Sequence, residues 1–115
     1  MVQGLSHITF IVRYLDRMEE ILTGIFDARK VYDSGNETFS ISKERFFLIG
    51  EAQEPIWVAT MEGDPLPTRT YNYVAFKIAD EDYDVYLQRV LSLGLDIREG
   101  RSRVLGEGQS IYFHD

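Results

Sequence analysis

The sequence predicts an α+β fold of two βαβββ modules, the second without its last strand. Three observations carry this. TYNYVAFKI (70–78) repeats the pattern of GLSHITFIV (4–12): Tyr73 aligns with His7, Val74 with Ile8, Phe76 with Phe10 and Ile78 with Val12. The same offset of 66 residues pairs Asp16 with Asp82, Ile21 with Leu87 and Ile25 with Leu91. Both stretches lead into an apolar pattern of helical period, and repetition of element order at a fixed spacing marks a duplicated unit.

In the first module, SHITFIV (6–12) alternates and is β-branched, which reads as a strand. Ile8, Phe10 and Val12 share one face, and His7, Thr9 and Ile11 share the other. Leu15, Met18, Leu22, Ile25 and Phe26 recur at helical spacing and predict an amphipathic helix over about 15–25. KVYDS (30–34) reads as a strand and GNE (35–37) as a turn, because Gly and Asn adopt left-handed dihedrals at low cost. TFSIS (38–42), RFFLIG (45–50) and IWVATMEG (56–63) read as strands, broken by the polar EAQEP (51–55). The first module covers about 4–63.

DPLPTR (64–69) contains two of the chain's three prolines and reads as a linker. The second module covers about 70–115. TYNYVAFKI is its opening strand. Tyr83, Leu87, Val90 and Leu91 mark a helix within 80–94, with Asp80 as N-cap and Gly94 as C-cap. LDIRE (95–99) and SIYF (110–113) are strands, and GRSRVLGEGQ (100–109) is a loop. No fourth strand follows within residue 115. An unpaired strand edge invites a partner, so a homodimer is expected. With 115 residues, the two modules form a single domain.

Composition narrows the function. Apolar residues make up 44% and aromatics 13%, enough for a packed core. The net charge of −7, without a block of Lys or Arg, argues against nucleic acid and membrane surfaces as partners. No apolar run approaches about 18 residues, so no membrane span is expected. MVQGLSH lacks the basic start and apolar stretch of a signal peptide, and a cytoplasmic location follows. The absence of cysteine removes disulfides, thiolate metal sites and a cysteine nucleophile.

GLSHITFIV, TFSISKERFFLIG, IWVATMEG, RTYNYVAFKI and RVLGEGQSIYF, in this order and over nearly the whole chain, resemble the vicinal oxygen chelate superfamily of glyoxalase and bleomycin-resistance type. Within it they resemble FosX-type fosfomycin resistance hydrolases. The resemblance implies a metal-dependent, hydrolytic opening of the fosfomycin epoxide, or of a related phosphonate epoxide, with manganese or another divalent ion as cofactor. The family holds its metal with a His on the first strand, a His opening the second module and a Glu on the last strand. His7 matches the first, Tyr73 stands at the position of the second, and the third has no counterpart in residues 1–115. Glu44, in SKERFF, matches the proposed general base and Thr9 the threonine beside the oxirane oxygen. Ser110 and Tyr112 match groups that hold the phosphonate. Arg101 and Arg103 lie where a cation reaches it.

The residues alone read more plainly. His7 suits a hydrogen-bonded core residue on a strand, and Glu44, between Lys43 and Arg45, a solvated turn. Arg101 and Arg103 suit an exposed loop, and GEG (106–108) is a turn rather than a phosphate loop, having no helix after it. Tyr73 suits a packing aromatic. A phenol, with pKa near ~10, is a poor metal ligand until deprotonated. Two other readings of the same fold therefore stand beside the hydrolase: a metal-free protein that binds or sequesters a small drug, and an inactive truncated form. A thiol in place of water as nucleophile is also open, although Glu44 favours water.

Overall fold

The structure, a computed structural model, describes residues 1–37, 42–51, 53–64, 74–99 and 111–113. The chain divides into two compact units, Met1–Thr70 and Tyr71–Asp115.

The first unit runs β1 (His7–Val12), α1 (Leu15–Phe26), β2 (Arg29–Asp33), β3 (Glu44–Ile49) and β4 (Ile56–Glu62). This is the expected βαβββ order. The strands form one sheet in the order β1-β4-β3-β2. β1 runs parallel to β4, from His7↔Trp57 to Val12↔Glu62. The β2–β3 and β3–β4 pairs are antiparallel. A register shift between Lys30 and Tyr32 bends edge strand β2, which discourages pairing with a further strand.

Alternation along β1 sorts its residues as the sequence requires. Val12 is buried and Ile8 and Phe10 are half-buried, whereas His7, Thr9 and Ile11 are exposed. Paired residues of neighbouring strands share a face, so Val58 and Thr60 of β4 and Phe47 and Ile49 of β3 join Val12 on the helix side. All four are buried, as are Leu15, Ile21, Leu22 and Ile25 of α1. This is the unit's core. The helix ends at Asp27, which adopts φ 54°, a left-handed conformation that Asp tolerates better than most side chains.

In the second unit, α2 spans Tyr83–Ser92 and β5 (Ile97–Glu99) pairs antiparallel with β6 (Ile111–Phe113). Val90 and Leu95 are buried. The C-cap of α2 is Leu93 rather than Gly94; Gly94, one residue beyond it, takes φ 70° and donates its N–H to Leu91 O at 3.0 Å, a left-handed exit from the helix.

Two further expectations need correction. Asp80 does not cap α2: Asp80–Asp82 is a turn of 3₁₀ helix and Asp82 is the N-cap. Three consecutive acids favour the positive end of the helix as a group, so composition alone does not single out one of them. Residues 74–79 carry no strand, although TYNYVAFKI has the pattern of one. In the first unit β1 is hydrogen-bonded to β4 alone. The described residues of the second unit contain no counterpart of β4, so this segment has no ladder partner among them. TFSIS, apart from an isolated bridge at Ser42, lies outside the described residues.

Candidate functional site

The face of the sheet away from α1 gathers three of the expected site residues. His7 pairs with Trp57, Thr9 with Ala59 and Ile11 with Met61. Ala59 and Met61 pair in turn with Phe46 and Glu44. These pairings put the side chains of His7, Thr9 and Glu44 on one side of the sheet, and β3 lies two strand spacings, roughly 10 Å, from β1.

Most of that face is open: Ile11 is 60% and Trp57 45% exposed. Glu44 is the exception, at 2%. Its Oε2 is buried without a hydrogen-bond partner. A buried carboxylate oxygen without a donor is costly and uncommon in folded proteins. The flanking Lys43 and Arg45 suggest a solvated turn; the structure instead makes Glu44 the first residue of β3 and covers its carboxylate.

Its backbone is tightly held. Ser34 N–H donates to Glu44 O at 3.0 Å, and Ser34 Oγ accepts the Glu44 N–H at 3.0 Å. On the preceding residue, Lys43 O accepts the N–H of Glu62 at 2.9 Å. On the following one, Arg45 O accepts the hydroxyl of Thr60 at 3.0 Å, and Thr60 is fully buried.

Arg45 points the other way, into a set of carboxylates. Its Nη1 lies 2.8 Å from Asp16 Oδ1 and 3.2 Å from Glu19 Oε1, and its Nε lies 3.2 Å from Asp33 Oδ2 without the alignment of a hydrogen bond. Lys30 reaches Glu19 and Asp33 at 3.2 and 3.3 Å. This network joins α1, β2 and β3 behind Glu44. Burial works against the charge on Arg45, but the hydrogen bond it donates to Asp16 and the charges of Asp33 and Glu19 outweigh it and raise its pKa. The N–H of Gly35 holds the Asp33 carboxyl below its ordinary value against the opposing effect of burial, with help from Lys30 and Arg45.

His7 is exposed, with Nδ1 3.3 Å from Ser6 Oγ. Among the described residues no group of three His, Cys, Asp or Glu could hold a metal ion. Tyr73, Arg101, Arg103 and Ser110 lie outside the described residues. Of Tyr112 only the backbone is described, paired with Arg98 in the β5–β6 ladder. A hollow of about 530 Å³, lined by Arg13, Asp16, Arg17, Lys43, Arg45 and Glu62 among others, opens beside the N-terminus of α1. It contains none of the expected site residues, and its mixed charge marks no ligand.

Sequence reasoning missed Ser34 and Thr60. For Ser34 a signal was present: Ser before Gly-Asn at a strand end commonly bonds nearby backbone. For Thr60 there was none, since its partner is fifteen residues away in the chain.

Comparison with known proteins extends the picture. No family model matches the chain. The chain is 60% identical over 115 residues to the fosfomycin resistance protein FosX of Mesorhizobium japonicum, covering all of this chain and 80% of that protein. The crystal structure of FosX from Mesorhizobium loti superposes with TM-score 0.79 at 55% identity, covering 100% of this chain and 85% of the other. A mutant FosX from Listeria monocytogenes, solved with Mn(II) and 1S,2S-dihydroxypropylphosphonic acid, gives TM-score 0.83 at 50% identity, with 100% and 85% covered.

Proposed function

The chain belongs to the FosX family of fosfomycin resistance proteins, and from that premise we propose that it opens the epoxide of fosfomycin with water, using Glu44 as the general base. The observation that carries this is the buried, unpartnered Oε2 of Glu44 on the sheet face that also bears His7 and Thr9. The ligand in the Listeria relative supports water as the nucleophile. Adding water across the epoxide of a propylphosphonate gives a dihydroxypropylphosphonate.

In this reading the Glu44 carboxylate takes a water molecule within hydrogen-bond reach when substrate is bound, as a general base requires. Glu44 takes its proton while the water oxygen bonds to an epoxide carbon. The strained C–O bond breaks, and its electron pair stays on the former epoxide oxygen. The Thr9 hydroxyl donates a hydrogen bond to that oxygen, which takes a proton from solvent to complete the diol, and Glu44 returns its proton to solvent. Arg101 and Arg103 hold the phosphonate with charge-assisted hydrogen bonds, aided by Ser110 and Tyr112. The enzyme works as a cytoplasmic homodimer.

Manganese accompanies the Listeria relative, and the family's ligand positions in this chain carry His7 and Tyr73. A neutral phenol is a poor ligand for a divalent ion until deprotonated, so Tyr73 does not fit the imidazole position at which it stands. No step above is therefore routed through a metal. The phenol at residue 73 favours a second reading, in which the protein binds the drug without metal or turnover.

Reaction in ¹⁸O-labelled water separates these readings. Hydrolysis puts one heavy oxygen into the dihydroxypropylphosphonate, read by mass spectrometry. An unlabelled thiol adduct, formed when a thiol is supplied, would overturn the assignment of water as nucleophile. Calorimetric binding of fosfomycin that is indifferent to chelator and yields no product would establish the second reading.

A further inference from the structure

We propose that Ser34 is a positioning residue for the carboxylate of Glu44, an inference that rests on the reading of Glu44 as the general base. After Asp33 the chain turns: Gly35 takes φ 65° and donates its N–H to Asp33 Oδ1 at 2.8 Å, and Ser34 O accepts the N–H of Glu37 at 3.1 Å. The Ser34 carbonyl is thereby committed to the turn. In a regular antiparallel pair that carbonyl would accept the N–H of the opposite residue. Here the opposite residue is Glu44, and the Ser34 hydroxyl oxygen accepts its N–H instead, at 3.0 Å. The Ser34 N–H completes the pair with Glu44 O at 3.0 Å. One side chain thus replaces a ladder bond where the strand has already turned away.

The consequence falls on the base. Among the described residues Glu44 Oε2 has no hydrogen bond to fix it, so the place of that oxygen depends on packing and on where the backbone puts the Glu44 Cα. Ser34 supplies both hydrogen bonds to the peptide groups of Glu44 itself. Without the hydroxyl the Glu44 N–H has no acceptor, and the start of β3 is free to shift. A displacement of about 1 Å at a reacting group can reduce turnover by as much as 100-fold, without altering groups that bind the phosphonate.

The test compares the whole chain with S34A, S34T and S34C, each supplied with MnCl₂ and fosfomycin, with kcat and KM measured separately. Amide hydrogen exchange at Glu44 is followed in parallel. S34A should lower kcat about 10-fold with KM within twofold, and speed exchange at the Glu44 amide. S34T, which keeps an oxygen acceptor, should restore most of kcat and the protection. S34C is nearly isosteric but a weaker acceptor. It should resemble S34A, and it carries the comparison if S34A does not fold. Unchanged kcat in S34A and S34C, where E44Q is inactive, overturns the positioning role alone. Full turnover by E44Q, or none by the unsubstituted chain, overturns the reading of Glu44, while the exchange data still report whether Ser34 holds that peptide.

Discussion

The buried hydroxyl of Thr60 donates to the carbonyl of Arg45, 3.0 Å away on the neighbouring strand, and so braces the backbone one residue beyond Glu44. Val has nearly the shape of Thr but cannot donate. Thr60→Val should therefore lower stability by about 1 kcal/mol, the usual net value of one such bond, as measured by urea denaturation. Because the lost bond lies next to Glu44, amide exchange at the start of β3 should quicken more than elsewhere in the sheet.

Phe47 is fully buried on the helix side of β3, with Val58 beside it as its partner on β4. Phe47→Ala should cost about 3–5 kcal/mol, the range for removing a large aromatic from a packed core. Equilibrium unfolding should show a lower midpoint. A loss below 1 kcal/mol would mean that this unit's core lies elsewhere.

The acid limb of stability should depend on Asp33. Its folded pKa lies below the ordinary carboxylate value, chiefly through the N–H of Gly35. Between the two values the unfolded chain binds more protons, so the contribution is present above about pH 4 and is lost as pH falls through the folded value. Asp33→Asn removes it. The stability difference between the two proteins should be constant near neutrality and shrink on acidification, as followed by thermal melts at several pH values. The effect is modest, because the side chain is partly exposed and solvent screens it.

Tyr73→His restores an imidazole where the family has one. Manganese binding should tighten by roughly 10-fold or more, since losing even an outer partner of a metal ligand costs about 10–100-fold. Titration followed by the electron paramagnetic resonance of free Mn(II) measures this. Unchanged affinity would show that residue 73 is not a ligand position in this chain.

Local pattern carried much of this molecule. Alternation in His7–Val12 separated the core face from the face bearing His7 and Thr9, and helical spacing placed α1 almost to its ends. Pairing between distant strands was beyond it. Glu44 is buried by the fold, whereas its immediate neighbours in the chain, Lys43 and Arg45, point to solvent exposure. The hydroxyl of Ser34 replaces a ladder bond only because its carbonyl is engaged three residues on, which no window on the sequence displays. In the second unit the strand pattern of residues 74–78 is present, but a strand forms only against a neighbour, and the pattern does not say whether one is there.

The central claim is that Glu44 drives addition of water to fosfomycin. The direct measurement is phosphorus NMR of the whole chain incubated with fosfomycin and MnCl₂, beside Glu44→Gln under the same conditions. The account predicts a growing dihydroxypropylphosphonate signal for the unsubstituted chain and at least a 100-fold slower one for the variant, the lower end of about 10²–10⁴-fold for a general base. Equal rates for the two, or no diol from either, would contradict it.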